Sequence, residues 1–138
     1  MKLWDRERWP NFGPREFLSP QGMVAFDLGV NLISSLLVDE VQALRTEIGL
    51  PLLINFGAHQ RRGFRTANEN QAIGGARFSL HLVGLASDIT CPDLPAEELA
   101  LICQRYKFTG IGIAAERNFV HVDLRNYSLS QRPVIFRY

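Results

Sequence analysis

The fold is decided by residues 79–88, which read Ser79-Leu80-His81-Leu82-Val83-Gly84-Leu85-Ala86-Ser87-Asp88. The alternating pattern in the second half of this stretch predicts a β-strand over Gly84–Thr90. Since successive side chains of a strand point to opposite faces, Asp88 shares a face with Gly84 and Ala86. We expect these two small residues to keep the floor beside the carboxylate open. His81, before the strand, is placed to fold over the same point.

A second histidine lies in Phe119-Val120-His121-Val122-Asp123, where alternation places His121 and Asp123 on one face. If the two strands are close in one sheet, Asp88 and His121 project toward a common point. Two imidazoles and a carboxylate leave a fourth position for water, as in catalytic zinc sites. Zinc there would lower the pKa of a bound water to about 7 and polarise a carbonyl, which is hydrolase chemistry. The spacing alone also allows ordinary hydrogen-bonded histidines.

The rest of the chain predicts an α+β fold. Apolar periodicity predicts helices over Asn31–Ile48, with Asn31 as the N-cap and Gly49 as the stop, and over Pro95–Tyr106. Because helices and strands do not alternate regularly, we expect a mainly antiparallel β-sheet with helices packed on it. The other predicted strands are Leu52–Asn55, Gly110–Ala114 and Asn118–Leu124, of which the last two form a hairpin.

Two segments lack a clear periodic pattern of apolar residues. Residues 1–27 predict an irregular N-terminal arm whose aromatic side chains pack onto the domain, and Phe56–Arg77 is a polar segment of the kind that is often functional. Neither segment has the composition of a linker. We therefore expect residues 1–138 to form a single domain.

Composition excludes several classes of protein. The 138 residues are 46% hydrophobic and 21% charged, with a net charge of +1. This balance argues against a dedicated nucleic-acid binder and against a polybasic membrane anchor. Cys91 and Cys103 are too few for a disulfide framework, and both are expected to be structural. The N-terminal residues do not resemble a signal peptide, so we expect cytoplasmic synthesis without one.

Ser79-x-His81-x-x-Gly84-x-Ala86-x-Asp88 resembles the signature of the zinc D-Ala-D-Ala carboxypeptidase family of peptidoglycan peptidases. This family includes phage endolysins and shares its fold with the hedgehog signalling domain. Phe119–Asp123 resembles the segment that supplies the last zinc ligand of the family. Two further segments, Gly63–Ala76 and Asn11–Leu18, are also similar to family segments, so the resemblance runs from about Asn11 to Arg125.

The resemblance implies Zn²⁺ ligands at His81, Asp88 and His121. It places Arg65 at a substrate carboxylate or carbonyl and makes Ser79 a hydrogen-bond partner of the substrate or the site. The implied activity is zinc-dependent hydrolysis of D-alanyl peptide bonds in peptidoglycan stem peptides, by a D,D- or L,D-carboxypeptidase or endopeptidase that serves in cell-wall lysis or remodelling. The implied origin is a phage, with a virion or lysis-system protein as a partner.

The chain departs from the family pattern at Asn118. The carboxypeptidase branch usually has Asp or Glu at this position, three residues before the last histidine ligand, and an amide cannot act as the general base. Asp123 is the preferred candidate for the general base, and Glu116 is the second candidate. Asp123 alternatively orients a ligand histidine.

Phe56–Arg61 resembles an insertion next to the segment that contains Arg65. It includes His59, which we expect to be an ordinary loop histidine. Together with Asn118, this insertion supports a second function: a catalytically impaired zinc-binding structural module, or one that binds the virion or the cell wall.

Overall fold

This computed structural model describes residues 2–54, 81, 84–125 and 132–138. These residues contain four helices and five strands. In chain order they are α1 (Pro14–Phe17), α2 (Pro20–Asp27), α3 (Ser35–Ile48), β1 (Leu53–Ile54), β2 (Ala86–Thr90), α4 (Ala96–Cys103), β3 (Gly110–Ala114), β4 (Phe119–Asp123) and β5 (Val134–Arg137). Among these residues, no helix is both long enough and apolar enough to cross a bilayer.

The strands form one sheet in the order β1-β2-β4-β3-β5. Three of the neighbouring pairs are antiparallel, including the predicted β3–β4 hairpin, but β5 runs parallel to β3. The sheet is therefore mixed, and the prediction of a mainly antiparallel sheet is corrected in this respect. The physical reason is that β2 and β3 occupy both edges of β4. The chain after β4 consequently adds β5 at the free edge of β3, where it runs in the direction of β3.

The N-cap of helix α3 lies three residues later than the sequence predicts. Its N-cap is Ser34, whose hydroxyl accepts a hydrogen bond from the Leu37 backbone amide. Asn31 instead accepts from the Ile33 amide in a local turn, so the N-cap assigned to it is wrong. The predicted stop is correct, because Gly49 closes the helix in the left-handed conformation with φ 65°. The helix α4 ends at Cys103, earlier than predicted.

The N-terminal segment is more regular than the sequence predicts. Instead of an irregular arm over residues 1–27, the structure has α1 and α2, each with proline at its first turn. The arm does pack onto the domain as predicted, since Trp9, Phe12 and Phe17 belong to the main hydrophobic core. Short helices that are held by such contacts need little intrinsic periodicity.

The two faces of the sheet have different roles. One face carries Ile89, Ile111 and Val122, which join a single buried cluster with side chains from α3 and α4. The opposite face carries Asp88, His121 and Asp123. The period of two therefore places the apolar side chains in the core and the ionisable ones together on what we call the site face.

Candidate metal centre

The centre is built on the pairing of β2 with β4. Asp88 and His121 are direct cross-strand partners, and Nδ1 of His121 lies 3.2 Å from Oδ1 of Asp88. His81 reaches the same oxygen, with its Nε2 3.5 Å away. Both histidines are buried and Asp88 is partly exposed, so the cluster faces solvent through the carboxylate. The structure thus brings together the three residues that the sequence proposes as ligands.

The three side chains are close enough together to bind one metal ion. One ligand atom from each of His81, Asp88 and His121 lies within 4.8 Å of the others. In a tetrahedral site with bonds of about 2.0–2.2 Å to nitrogen and oxygen, ligand atoms are roughly 3.3–3.5 Å apart. The separations of 3.2 and 3.5 Å from the shared Asp88 oxygen are close to this spacing. Two imidazoles and one carboxylate also form a donor set suited to zinc, with room for a fourth ligand.

The ring of His121 is held on its other side by Asp123. Its Nε2 lies 2.7 Å from Oδ2 of Asp123, which is fully buried. Because an ionised carboxylate only accepts hydrogen bonds, Nε2 carries the proton and Nδ1 faces Asp88 and the metal position. Burial acts to lower the pKa of His121, but the hydrogen bonds with Asp123 and Asp88 outweigh it and raise the pKa to about 9. A proton and a metal ion therefore compete for Nδ1.

Both carboxylates are strongly biased toward the ionised form. Burial acts to raise the pKa of Asp88, but hydrogen bonds from His121 and His81 hold it well below its usual range. Burial likewise opposes ionisation of Asp123, and His121 and Arg125 hold its pKa well below its usual range. Arg125 donates to Asp123 from Nε and Nη2 at 3.0 and 2.7 Å and also through its backbone amide. The buried charge of Asp123 is thus neutralised inside the fold.

The strand β3 makes room for this arrangement. Its residues on the site face are Gly110, Gly112 and Ala114, and they pair with Asp123, His121 and Phe119 of β4 respectively. A Cβ atom at Gly110 would overlap both carboxylate oxygens of Asp123, and one at Gly112 would overlap the Phe136 ring. The absence of these side chains lets groups from β4 and β5 lie across β3.

The space beside Asp88 is arranged differently from the sequence prediction. Ala86 lies on the site face opposite Asp123, as predicted. Gly84 is not part of that floor: its φ is 71°, and a Cβ atom there would overlap the backbone carbonyl of Leu32. Glycine is required at this position because two backbone segments approach closely.

The other candidate site residues have separate locations. Glu116 lies exposed in the β3–β4 turn, and none of the described interactions joins it to the centre. Asn118, also in this turn, has φ 53° and accepts a hydrogen bond at Oδ1 from the Ala96 amide, at the first turn of α4. Its side chain therefore caps a helix. Arg65, Ser79 and the Phe56–Arg61 insertion with His59 lie outside the described residues.

Three residues that support the centre were not found by sequence reasoning. Arg125 follows His121 and Asp123 at the same spacing of two residues. The sequence therefore already indicated a cation on the site face. Gly110 and Gly112 alternate in the same way. Both cysteines are buried, and burial raises the pKa of Cys103 to about 12.

Two histidines and an aspartate converge at one face of the sheet, with a buried carboxylate behind the last histidine, and could hold a single metal ion as metallohydrolases do. Comparison with protein families shows a match of residues 11–123 to the model described as Peptidase M15. The chain belongs to this family, which comprises zinc D-Ala-D-Ala carboxypeptidase-like proteins. Membership supports a metallopeptidase acting on peptidoglycan-type substrates. No curated protein matches the chain significantly.

Proposed function

We propose that the protein is a zinc-dependent peptidase that hydrolyses D-alanyl peptide bonds in peptidoglycan stem peptides at the cell wall. The observation that carries the proposal is the convergence of His81, Asp88 and His121 within a chain of the M15 family. A role in phage lysis, with a virion or lysis-system protein as a partner, extends this proposal. That extension is supported by the resemblance to endolysins alone.

Each residue of the centre has a distinct task. His81, Asp88 and His121 would hold zinc, which when bound supplies an activated water and a Lewis acid for the scissile carbonyl. Asp123 fixes the tautomer and the orientation of His121 through Nε2, and Arg125 holds Asp123 in place. Arg65 is proposed to bind a substrate carboxylate or carbonyl, and Ser79 to hydrogen-bond with the substrate or the site.

The geometry favours Asp123 as a positioning residue over Asp123 as the general base. Its carboxylate contacts Nε2 of His121, whereas Nδ1 of the same ring faces Asp88. Its oxygens also accept from Arg125, and its side chain has no exposed surface. Glu116, exposed in the turn, is the remaining carboxylate proposed from the sequence. To act as the general base, Glu116 would have to reach the centre from the end of the β3–β4 hairpin.

One observation favours a second function. Asp88 and Asp123 contact the histidines of the centre, and both carboxylates are already used to hold the centre. This arrangement fits a catalytically impaired zinc-binding module that serves in virion structure or cell-wall binding.

The decisive experiment is a digestion of purified peptidoglycan. Release of soluble peptides and new amino groups by the zinc-loaded protein, lost with a chelator and restored by zinc, is the result expected of the peptidase. His121→Ala is the matched inactive control. If the zinc-loaded protein binds peptidoglycan without releasing peptides or amines, the binding-module function replaces the peptidase.

A further inference from the structure

The strand β5 adds an aromatic surface to the site face. It lies beyond residues 11–123, which match the family model, and pairs with β3 so that Phe136 is opposite Gly112. The Phe136 ring centre is 5.6 Å from that of His121 and 5.7 Å from that of Tyr138. Tyr138 in turn lies 5.5 Å from Phe119. Aromatic side chains therefore extend without a break from a proposed metal ligand to Phe119, the first residue of β4.

Arg117 stands at the far end of this surface. Its guanidinium carbon lies 5.0 Å from the ring centre of Phe119 and 5.8 Å from that of Tyr138. Stacking on two rings restrains a guanidinium while its in-plane N–H groups stay available for hydrogen bonding. Arg117 is exposed, and within the described ranges no carboxylate pairs with it. An oriented cation that none of the described carboxylates neutralises is suited to bind an anion.

We propose that Arg117, Phe119 and Tyr138 form a subsite for a carboxylate of the substrate, two residues or so from the bond at the metal centre. Phe119 and His121 are two residues apart on one face of β4, which corresponds to roughly 6–7 Å. An extended substrate peptide covers the same distance in two residues. The proposal rests on the peptidase function proposed above and names the group that the enzyme recognises.

A carboxylate fits this subsite better than a sugar ring does. A sugar would need an open aromatic face, whereas the guanidinium of Arg117 lies over both Phe119 and Tyr138. A carboxylate needs the forked N–H groups of the guanidinium, which stacking does not use. Stem peptides carry carboxylates along the chain, so the charge of the subsite complements that of the proposed substrate.

The test compares synthetic stem peptides in which each carboxylate in turn is replaced by a carboxamide. For the wild type, we expect one such replacement to lower kcat/KM by about 2- to 5-fold, mainly through KM, since the contact is solvent-exposed. Arg117→Gln should show the same loss with the acid and no further loss with the amide. Arg15→Gln, which removes an exposed arginine from α1, should retain the preference of the wild type.

The outcomes separate this proposal from the peptidase function. If Arg117→Gln lowers kcat/KM equally for acid and amide, or leaves both unchanged, the subsite is wrong. If the wild type cleaves none of the peptides, the peptidase function fails, and the same peptides are titrated calorimetrically into the zinc-loaded proteins. Tighter binding of an acid than of its amide, dependent on Arg117, then still supports the subsite, and equal binding overturns it. Circular dichroism and zinc content show whether each variant is folded.

Discussion

Nε2 of His121 lies 2.7 Å from Oδ2 of Asp123, on the side of the imidazole that faces away from Asp88. The contact fixes Nε2 as the protonated nitrogen and leaves Nδ1 for a metal ion. Arg125 donates to the same carboxylate, so the three side chains form a continuous chain from the metal position into the fold. The sequence allows two roles for Asp123, which are the general base and the residue that orients His121. The contact with Nε2 distinguishes between these roles.

The first prediction is that Asp123→Asn weakens zinc binding. The amide removes the charge that stabilises both His121 and Arg125, and loss of such a supporting carboxylate costs about 10- to 100-fold in metal affinity. Competition titration with a chromogenic zinc chelator measures this change. Asp93→Asn, in an exposed turn, is the matched control and should retain wild-type affinity. Unchanged zinc affinity combined with a 10²- to 10⁴-fold loss in rate, the scale typical of a general base, would instead make Asp123 the base.

The second prediction concerns metal removal. A ligand that binds the folded state alone stabilises it by about 2.7 kcal/mol at a free concentration 100 times its Kd. For a domain of this size, a chelator should therefore lower the Tm of the zinc-loaded wild type by roughly 5–10 °C. His81→Ala should melt at the same temperature with and without chelator. A chelator-dependent shift of equal size in this variant would show that zinc binds elsewhere.

The third prediction tests the space that β3 provides. A methyl group at Gly110 would overlap the Asp123 carboxylate and lie against Nε of Arg125. Gly110→Ala should therefore lower the free energy of unfolding by about 1–3 kcal/mol and weaken zinc binding as well. Gly13→Ala is the control, because a Cβ atom there meets nothing within 4 Å. Urea denaturation and zinc titration measure both effects, and wild-type values for Gly110→Ala would show that the carboxylate relaxes freely.

Alternation along two strands predicted that Asp88 and His121 project toward a common point, provided that the two strands are close in one sheet. Their direct pairing depends also on the strand order and the register, which the structure provides. Sequence could not show which nitrogen of His121 faces the metal, because that depends on the position of Asp123 relative to the ring. The resemblance to the peptidase family suggested a missing base at Asn118, but its local conformation gives that side chain another task.

The missed elements are those with weak local signals. The helix α1 has four residues and α2 eight, too few for a clear apolar period, although Pro14 and Pro20 are typical of first turns. The strand β5 also has four residues, and its direction depends on which sheet edge is free. Tertiary contacts determine each of these elements, so pattern alone is insufficient.

The last prediction concerns Asn118, where the carboxypeptidase branch has a carboxylate. Its Oδ1 accepts a hydrogen bond of 2.9 Å from the Ala96 amide at the start of α4, and its backbone carbonyl accepts one from the Thr90 hydroxyl. An aspartate keeps the acceptor and adds a negative charge that the helix dipole favours. Asn118→Asp should therefore remain at least as stable as the wild type and show unchanged peptidoglycan cleavage, because its side chain stays at α4.

Asn118→Gly is the informative partner of this variant. Glycine tolerates the positive φ of 53° but removes the cap, so the free energy of unfolding should fall by about 0.5–2 kcal/mol while zinc affinity is retained. Urea denaturation of both variants, run beside the cleavage assay, separates capping from catalysis. A gain of cleavage in Asn118→Asp would contradict the capping role, because a carboxylate that leaves α4 to activate water would make the natural chain catalytically impaired.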